Sequence, residues 1–340
     1  MKKGLALVLV LGMMVSVFAG CAPKDEGTVD VKLGLGSVTS TAKSRDADVD
    51  SETAARAQAD TTIAAVAFDK DGKIVAVSID VAQVQINFDA DMKVASDKEA
   101  PILTKKELGP KYGMIGRSEI GKEWYEQIAA LEDWMIGKTI EEVKALKVKE
   151  RDAAHTHVPD VPELTSSVTI TVQDYLAAVE KAWNNTIEVK GFNTLGLGHT
   201  ISIAKSKDAT DTNTAQAQAD ITFAAAGFDK DGKVAGTIID TAQVKVAFDA
   251  EGKVVPAADA FRTKKELGDD YGMKGRSEIG KEWFEQLAAF EEWMVGKTML
   301  EIKNLNLKDN APDIPELTSS VTVVVNSYID AVFEAYRFKK

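Results

Sequence analysis

The 340-residue chain carries 41 Lys and Arg against 53 Asp and Glu, a formal net charge of −12, with 45% hydrophobic and 28% charged residues. That composition describes globular material long enough for two ordinary domains, and excludes a disordered or repeatedly membrane-spanning chain. The acidic balance, without a Lys/Arg run, excludes nucleic acid as a partner, and the single cysteine excludes an intramolecular disulfide.

In chain order, Lys2 and Lys3 precede an uncharged apolar run over residues 5–18, too short for the roughly 20 residues of a spanning helix. This predicts a signal peptide over residues 1–20. The run ends in Phe18-Ala19-Gly20-Cys21, which resembles the lipobox cut by lipoprotein signal peptidase. The resemblance implies lipidation at Cys21, a polar linker over 21–30, and a membrane-anchored protein on the extracytosolic face of the cell membrane.

Residues 31–44 read as a strand. Residues 61–68 and 74–88 alternate and are β-branched, and Asp69-Lys70-Asp71-Gly72 between them reads as a hairpin turn. A calcium loop would need further ligands and a glutamate at its twelfth position. Ser118 is expected to cap a helix with apolar positions at Ile120, Trp124, Ile128, Leu131 and Trp134, ended by Gly137. Thr139 with Glu142 predicts a capping box for a short helix ending near Leu146. His155 and His157 fall in a solvated loop, and His199 reads as structural. A last helix is expected over 172–183.

The pattern then returns. Leu33-Gly34-Leu35-Gly36 recurs as Leu195-Gly196-Leu197-Gly198, and Ala57-Gln58-Ala59-Asp60 as Ala217-Gln218-Ala219-Asp220. Between residues 104–127 and 263–286, 20 of 24 positions are identical. The repeat predicts domains over 31–186 and 187–340, with the boundary near 184–188. Strands followed by helices predict an α+β fold: two tandem copies of an antiparallel-sheet domain with helices on one face, after a lipoprotein signal peptide.

Polar and glycine positions match between the copies of residues 104–127 as strictly as apolar ones. Arg117 and Ser118 at a helix start, beside Lys105 and Lys106, suit an anion, while Tyr112, Met114 and Trp124 suit a flat ring. A recent duplication that has not diverged accounts for the same identity. The chain contains no P-loop and no G-x-G-x-x-G.

Glu163-Leu164-Thr165-Ser166-Ser167-Val168-Thr169, with its following helix, resembles the attachment motif of the FMN-binding domain family, in which a Thr carries FMN through a phosphoester installed by a flavin transferase. The resemblance implies Glu163, Ser166 and Thr169 as cofactor-site residues in one copy, and Glu316, Ser319 and Thr322 in the other. Ser167 and Ser320 stand where the family has Gly, Val168 and Val321 where it has Ala, and Glu where it has Asp, so noncovalent FMN binding and an ordinary Ser/Thr helix cap stay open. Arg117 and Arg276 would meet the phosphate or ring, with Tyr112, Tyr271, Trp124 and Trp283 packing nearby. The implied protein is an FMN-binding electron carrier fed by a membrane redox donor, with no catalytic residue and no metal expected. The alternative is a non-redox lipoprotein module that binds a small anionic ligand or a cell-surface partner.

Overall fold

A computed structural model describes residues 29–48, 53–257 and 260–340. The expected signal peptide, Cys21 and most of the linker lie outside these residues. No helix among the described residues is long and apolar enough to cross a membrane.

The first half runs β1 (Val29–Ser40), β2 (Arg56–Phe68), β3 (Ile74–Asn87), α1 (Lys105–Leu108), α2 (Trp124–Met135), α3 (Ile140–Lys144), β4 (Val148–Lys149), β5 (Val158–Pro159), α4 (Gln173–Asn184) and β6 (Thr186–Phe192). The second half runs β7 (Thr194–Ser202), β8 (Gln216–Phe228), β9 (Val234–Phe248), β10 (Val254–Val255), α5 (Lys264–Leu267), α6 (Trp283–Met294), α7 (Met299–Lys303), β11 (Leu307–Lys308), β12 (Ala311–Pro312) and α8 (Asn326–Arg337). Eight strands form two four-stranded antiparallel sheets, ordered β3-β2-β1-β6 and β10-β9-β8-β7, and β4-β5 and β11-β12 form two short antiparallel ribbons. The class is α+β.

The Asp69 and Asp229 turns close hairpins: each carboxylate accepts N–H groups two and four residues on, at 2.9 and 2.8 Å. Thr139 heads α3 in a reciprocal capping box with Glu142. Ser118 does not cap a helix. Gly121 turns the backbone to a φ of +61°, so α2 starts only at Trp124. Glu123 is its cap residue, and its N–H donates to Glu126 at 2.7 Å. The Glu123 carboxylate faces back and accepts the N–H groups of Met114 and Ile115 at 2.8 and 2.9 Å.

Residues 186–192, where the boundary was expected, form β6, which pairs with β1 and extends the first sheet. The matching edge of β7 is taken by the chain end, as Leu195 and Lys340 exchange backbone hydrogen bonds at 3.1 and 2.9 Å.

Each sheet carries helices on one face. Trp124, Leu131, Val143 and Val179 pack beneath the first sheet's helices, and Trp283, Phe290, Ile302 and Val332 beneath the second's. The other two faces pack on each other and bury an alanine-rich interior, including Ala57, Ala59, Ala65, Ala217, Ala219 and Ala225. Phe88 and Phe248 meet across it edge to face at 5.0 Å. Burial on both faces replaces the alternation of a half-solvated strand with nearly continuous apolar sequence in β2 and β8.

Contacts at the rim of this interface are reciprocal. Ala47 N–H donates to the Gly252 carbonyl at 2.9 Å, and Ala209 N–H to that of Met92 at 3.0 Å. Asp46 accepts the Val254 N–H at 2.8 Å, and Asp208 that of Val94 at 2.9 Å.

Asp240 is buried beneath α5, where it accepts the N–H groups of Thr241 and Lys265 at 2.7 and 3.1 Å. Burial pushes its carboxyl from the ordinary 3.8 up to about 6, against hydrogen bonds from Thr263 and the backbone. Between those values the folded state holds a proton that the unfolded chain releases. Asp240 therefore adds stability as pH falls through about 6, and that stability is lost as pH rises through it. Asp240→Asn should remove about 2–3 kcal/mol of this pH dependence. Urea unfolding of both proteins at pH of about 4 and about 7 measures it, and an unchanged difference between the two pH values would refute the assignment.

Candidate functional site

The first turn of each half's short helix sends consecutive lysines in opposite directions. Thr104 and Thr263 cap α1 and α5 in capping boxes with Glu107 and Glu266. Lys106 reaches inward to Glu132 at 2.6 Å and Lys265 to Glu291 at 2.6 Å. Lys105 and Lys264 turn the other way, onto aromatic rings. The Lys105 ammonium lies 4.9 Å from the Tyr112 ring centre and 5.4 Å from that of Trp124. Lys264 lies 5.0 and 5.1 Å from Tyr271 and Trp283. Among the described residues neither ammonium has a carboxylate partner. Burial lowers Lys105 to about 8, only partly offset by Asp60 and Asp80.

The rings are fixed from behind. Trp124 donates its indole N–H to the Tyr175 hydroxyl at 2.8 Å, and Trp283 to Tyr328 at 2.9 Å. Both tryptophans are 2% exposed, so they serve as walls and offer no free face to a ligand. Tyr112 and Tyr271 are half-buried.

In the second half these groups line a groove of about 700 Å³. Thr322, Lys264, Tyr271, Trp283, Lys205 and Asp220 all contribute to it. Lys205 and Asp220 are paired at 2.7 Å, and Lys43 and Asp60 repeat the pair in the first half at the same distance. Although burial raises Asp220, hydrogen bonds from Lys205, Gln218 and Gln243 hold it below the usual carboxylate range. These Lys–Asp pairs were missed in the sequence. The recurring Ala-Gln-Ala-Asp marked the acid, but its lysine lies 15 to 17 positions earlier.

Thr169 and Thr322 are half-buried and held alike. The fully buried Gln127 accepts the Thr169 N–H at 2.8 Å and its hydroxyl at 3.3 Å. Gln286 accepts the same groups of Thr322 at 2.8 and 3.2 Å. Ser118 and Ser277 orient these glutamines, accepting the amide N–H at 3.2 Å in each half. Ser167 and Ser320 keep ordinary φ values, so the backbone here has no need of glycine. Val168 and Val321 point into the core, 0% and 1% exposed.

The remaining expected residues stand apart. Glu163, Ser166, Glu316 and Ser319 are exposed. Arg117 is exposed at the end of a short 3-10 turn, Ile115–Arg117. Arg276 is exposed on a neighbouring cleft of about 540 Å³, which shares Met273 and Thr322 with the groove. The halves also differ, because Arg151 donates to the Thr169 carbonyl at 3.1 Å from a loop without a full counterpart. His155 and His157 lie exposed or half-exposed in that loop, while His199 is buried between the halves.

No family model matches this chain, and no solved structure matches it. Over 104 residues it is 38% identical to a curated protein, chlorophenol reductase of Desulfitobacterium hafniense, a match covering 27% of this chain and 32% of that one. The chain thus spans about a third of the length of the curated relative it matches.

Proposed function

We propose that this chain is a lipid-anchored, extracytosolic electron carrier built from two tandem copies of one domain, each holding one FMN in the groove beside Thr169 or Thr322. One observation carries the reading. A lysine ammonium without a carboxylate partner sits on a tyrosine ring, in a groove that also holds the threonine singled out by the attachment motif.

The groove volume falls within the roughly 300–1,000 Å³ of small-molecule sites. An unpaired ammonium in a half-buried setting favours an anion such as a phosphate. Tyr271 supplies a flat surface and Trp283 a fixed wall, and Gln286 orients the Thr322 hydroxyl. Bound FMN supplies one- and two-electron transfer, and the protein's own groups fix its position and limit its exposure. The partial match to a protein named for a reduction is compatible with a redox setting.

A second reading keeps the anion and drops the flavin, with each groove binding a small phosphate or carboxylate compound. It is favoured by the position of Lys264, which puts charge over the Tyr271 face where a flavin ring would stack.

The absorption spectrum of the mature protein, coexpressed with a flavin transferase, separates these readings. Flavin bands at about 370 and 450 nm that survive denaturation indicate covalent FMN. Thr169→Ala with Thr322→Ala should then abolish the retained colour. Bands lost on denaturation indicate noncovalent FMN, and a colourless protein that gains none with added FMN sinks the flavin reading.

A further inference from the structure

We propose that Glu107, His199 and Glu334 form a site for one divalent metal ion of the zinc class, joining the two halves away from the grooves. Glu107 comes from α1 in the first half, His199 from β7 and Glu334 from α8 in the second. The donor atoms of all three lie within 4.8 Å of one another. His199 Nε2 is 2.9 Å from Glu107 Oε2, and Nδ1 is 3.4 Å from Glu334 Oε2. Only one ring nitrogen can bind a given ion, so whichever is used leaves one carboxylate close by. The other has to close in from within 4.8 Å to the roughly 3.3 Å donor spacing of a tetrahedral zinc with bonds of about 2.0–2.2 Å, a side-chain rotation. One imidazole with two carboxylates suits zinc and similar first-row ions better than an all-oxygen calcium or magnesium cage.

The other half provides an independent argument. At the corresponding junction, Glu266 pairs with Lys181 of α4. By the internal repeat, Lys181 corresponds to Glu334 and Ser37 to His199. Where one junction carries its own ammonium, the other has exchanged lysine for glutamate and serine for histidine. The exchange changes the local charge by two units, brings two carboxylates to one place, and adds a metal-binding imidazole. A divalent cation restores those two units; a proton on the imidazole restores one.

The surroundings permit this. His199 is 8% exposed, and an adjoining cavity of about 140 Å³ leaves room for water ligands. Two lysines line that cavity, but both bind Glu132, Lys106 at 2.6 Å and Lys340 at 2.7 Å, which draws their charge away. Asp80 on the same wall adds negative charge. The Thr104 N–H holds Glu107 Oε2 at 2.9 Å and the His199 backbone N–H holds Glu334, so both carboxylates are oriented by the backbone.

The test uses the full mature chain, freed of metal with a chelator and titrated with Zn²⁺ by calorimetry. His199→Ser with Glu334→Lys recreates the junction already found at Ser37 and Lys181, so this variant should fold. The wild type should bind about one Zn²⁺ per chain and melt higher with it, by mass action on the folded state. The double variant should lose this binding by ~100-fold or more and melt at one temperature with or without Zn²⁺. Equal Zn²⁺ binding by both proteins would put the ion elsewhere and overturn the proposal. So would a wild type whose melting temperature ignores Zn²⁺, because the cluster would then be satisfied by protons alone.

Discussion

Replacing Lys105 and Lys264 together by methionine should weaken binding of FMN, or of inorganic phosphate, by ~10- to 100-fold at each site while leaving the chain folded. Methionine keeps an unbranched apolar stem against the Tyr112 and Tyr271 rings and removes only the ammonium. A charged hydrogen bond is worth about 1.5–3 kcal/mol, which sets the size of the loss. Stability should not suffer in proportion. Burial already presses the Lys105 ammonium toward its neutral form, only partly offset by Asp60 and Asp80, and the Tyr112 and Trp124 rings add a modest attraction. Calorimetric titration checks the affinity and thermal melting checks the fold. An unchanged affinity would remove the lysines from the site, and with them the main support for an anionic ligand.

Gly198→Ala, like Gly196→Ala, should be among the most damaging single methyl groups that can be added to the second half. A Cβ there would lie 2.2 Å from the Ala331 carbonyl oxygen and 2.2 Å from the Ala335 nitrogen, and one at Gly196 2.0 Å from the Ala335 oxygen. The obstructing atoms are helix backbone, so no side chain can rotate away, and α8 must lift from β7. Overpacking that a core can partly absorb costs roughly 1–3 kcal/mol. Here the cost should reach at least the upper end, lowering the melting temperature by about 10 °C. Because α8 also carries Ser327 and Tyr328 into the groove, ligand affinity should fall with it. Gly36→Ala should act alike on α4, since its Cβ would lie 2.2 Å from the Ala178 oxygen. A melting temperature within about 1 °C of wild type would show that the helix is not seated on these glycines.

The glycines mark where the sequence was legible and where it was not. Leu-Gly-Leu-Gly stood out because it occurs twice, but the reason for it is a helix about 140 residues further on. Local chemistry read well: the Asp-Gly hairpins, the Thr139 capping box and the last helix of the first half all depend on neighbours within a few positions. Ser118 misled because an apolar period of three and four ran through Gly121, where the backbone turns left-handed and stops a helix. The lysine pair read as one basic patch, yet adjacent residues on a helical turn point about 100° apart, and only tertiary structure separates their destinations. Face-to-face packing of the sheets was hidden because residues 61–68 read as an alternating strand, whereas β2 is buried on both faces over that stretch.

The reciprocal contacts at the rim of that packing carry a further consequence. Ala47 reaches Gly252 while Ala209 reaches Met92, and each aspartate, Asp46 and Asp208, caps the opposite half. This is the self-complementary pattern of an isologous dimer, in which every contact occurs twice. Two separate identical subunits could never make Lys181 and Glu334 differ, because any substitution would appear on both sides of the axis. Two halves of one chain are free of that constraint. Each junction can then be tuned alone, and an even-handed pair can become a directional one.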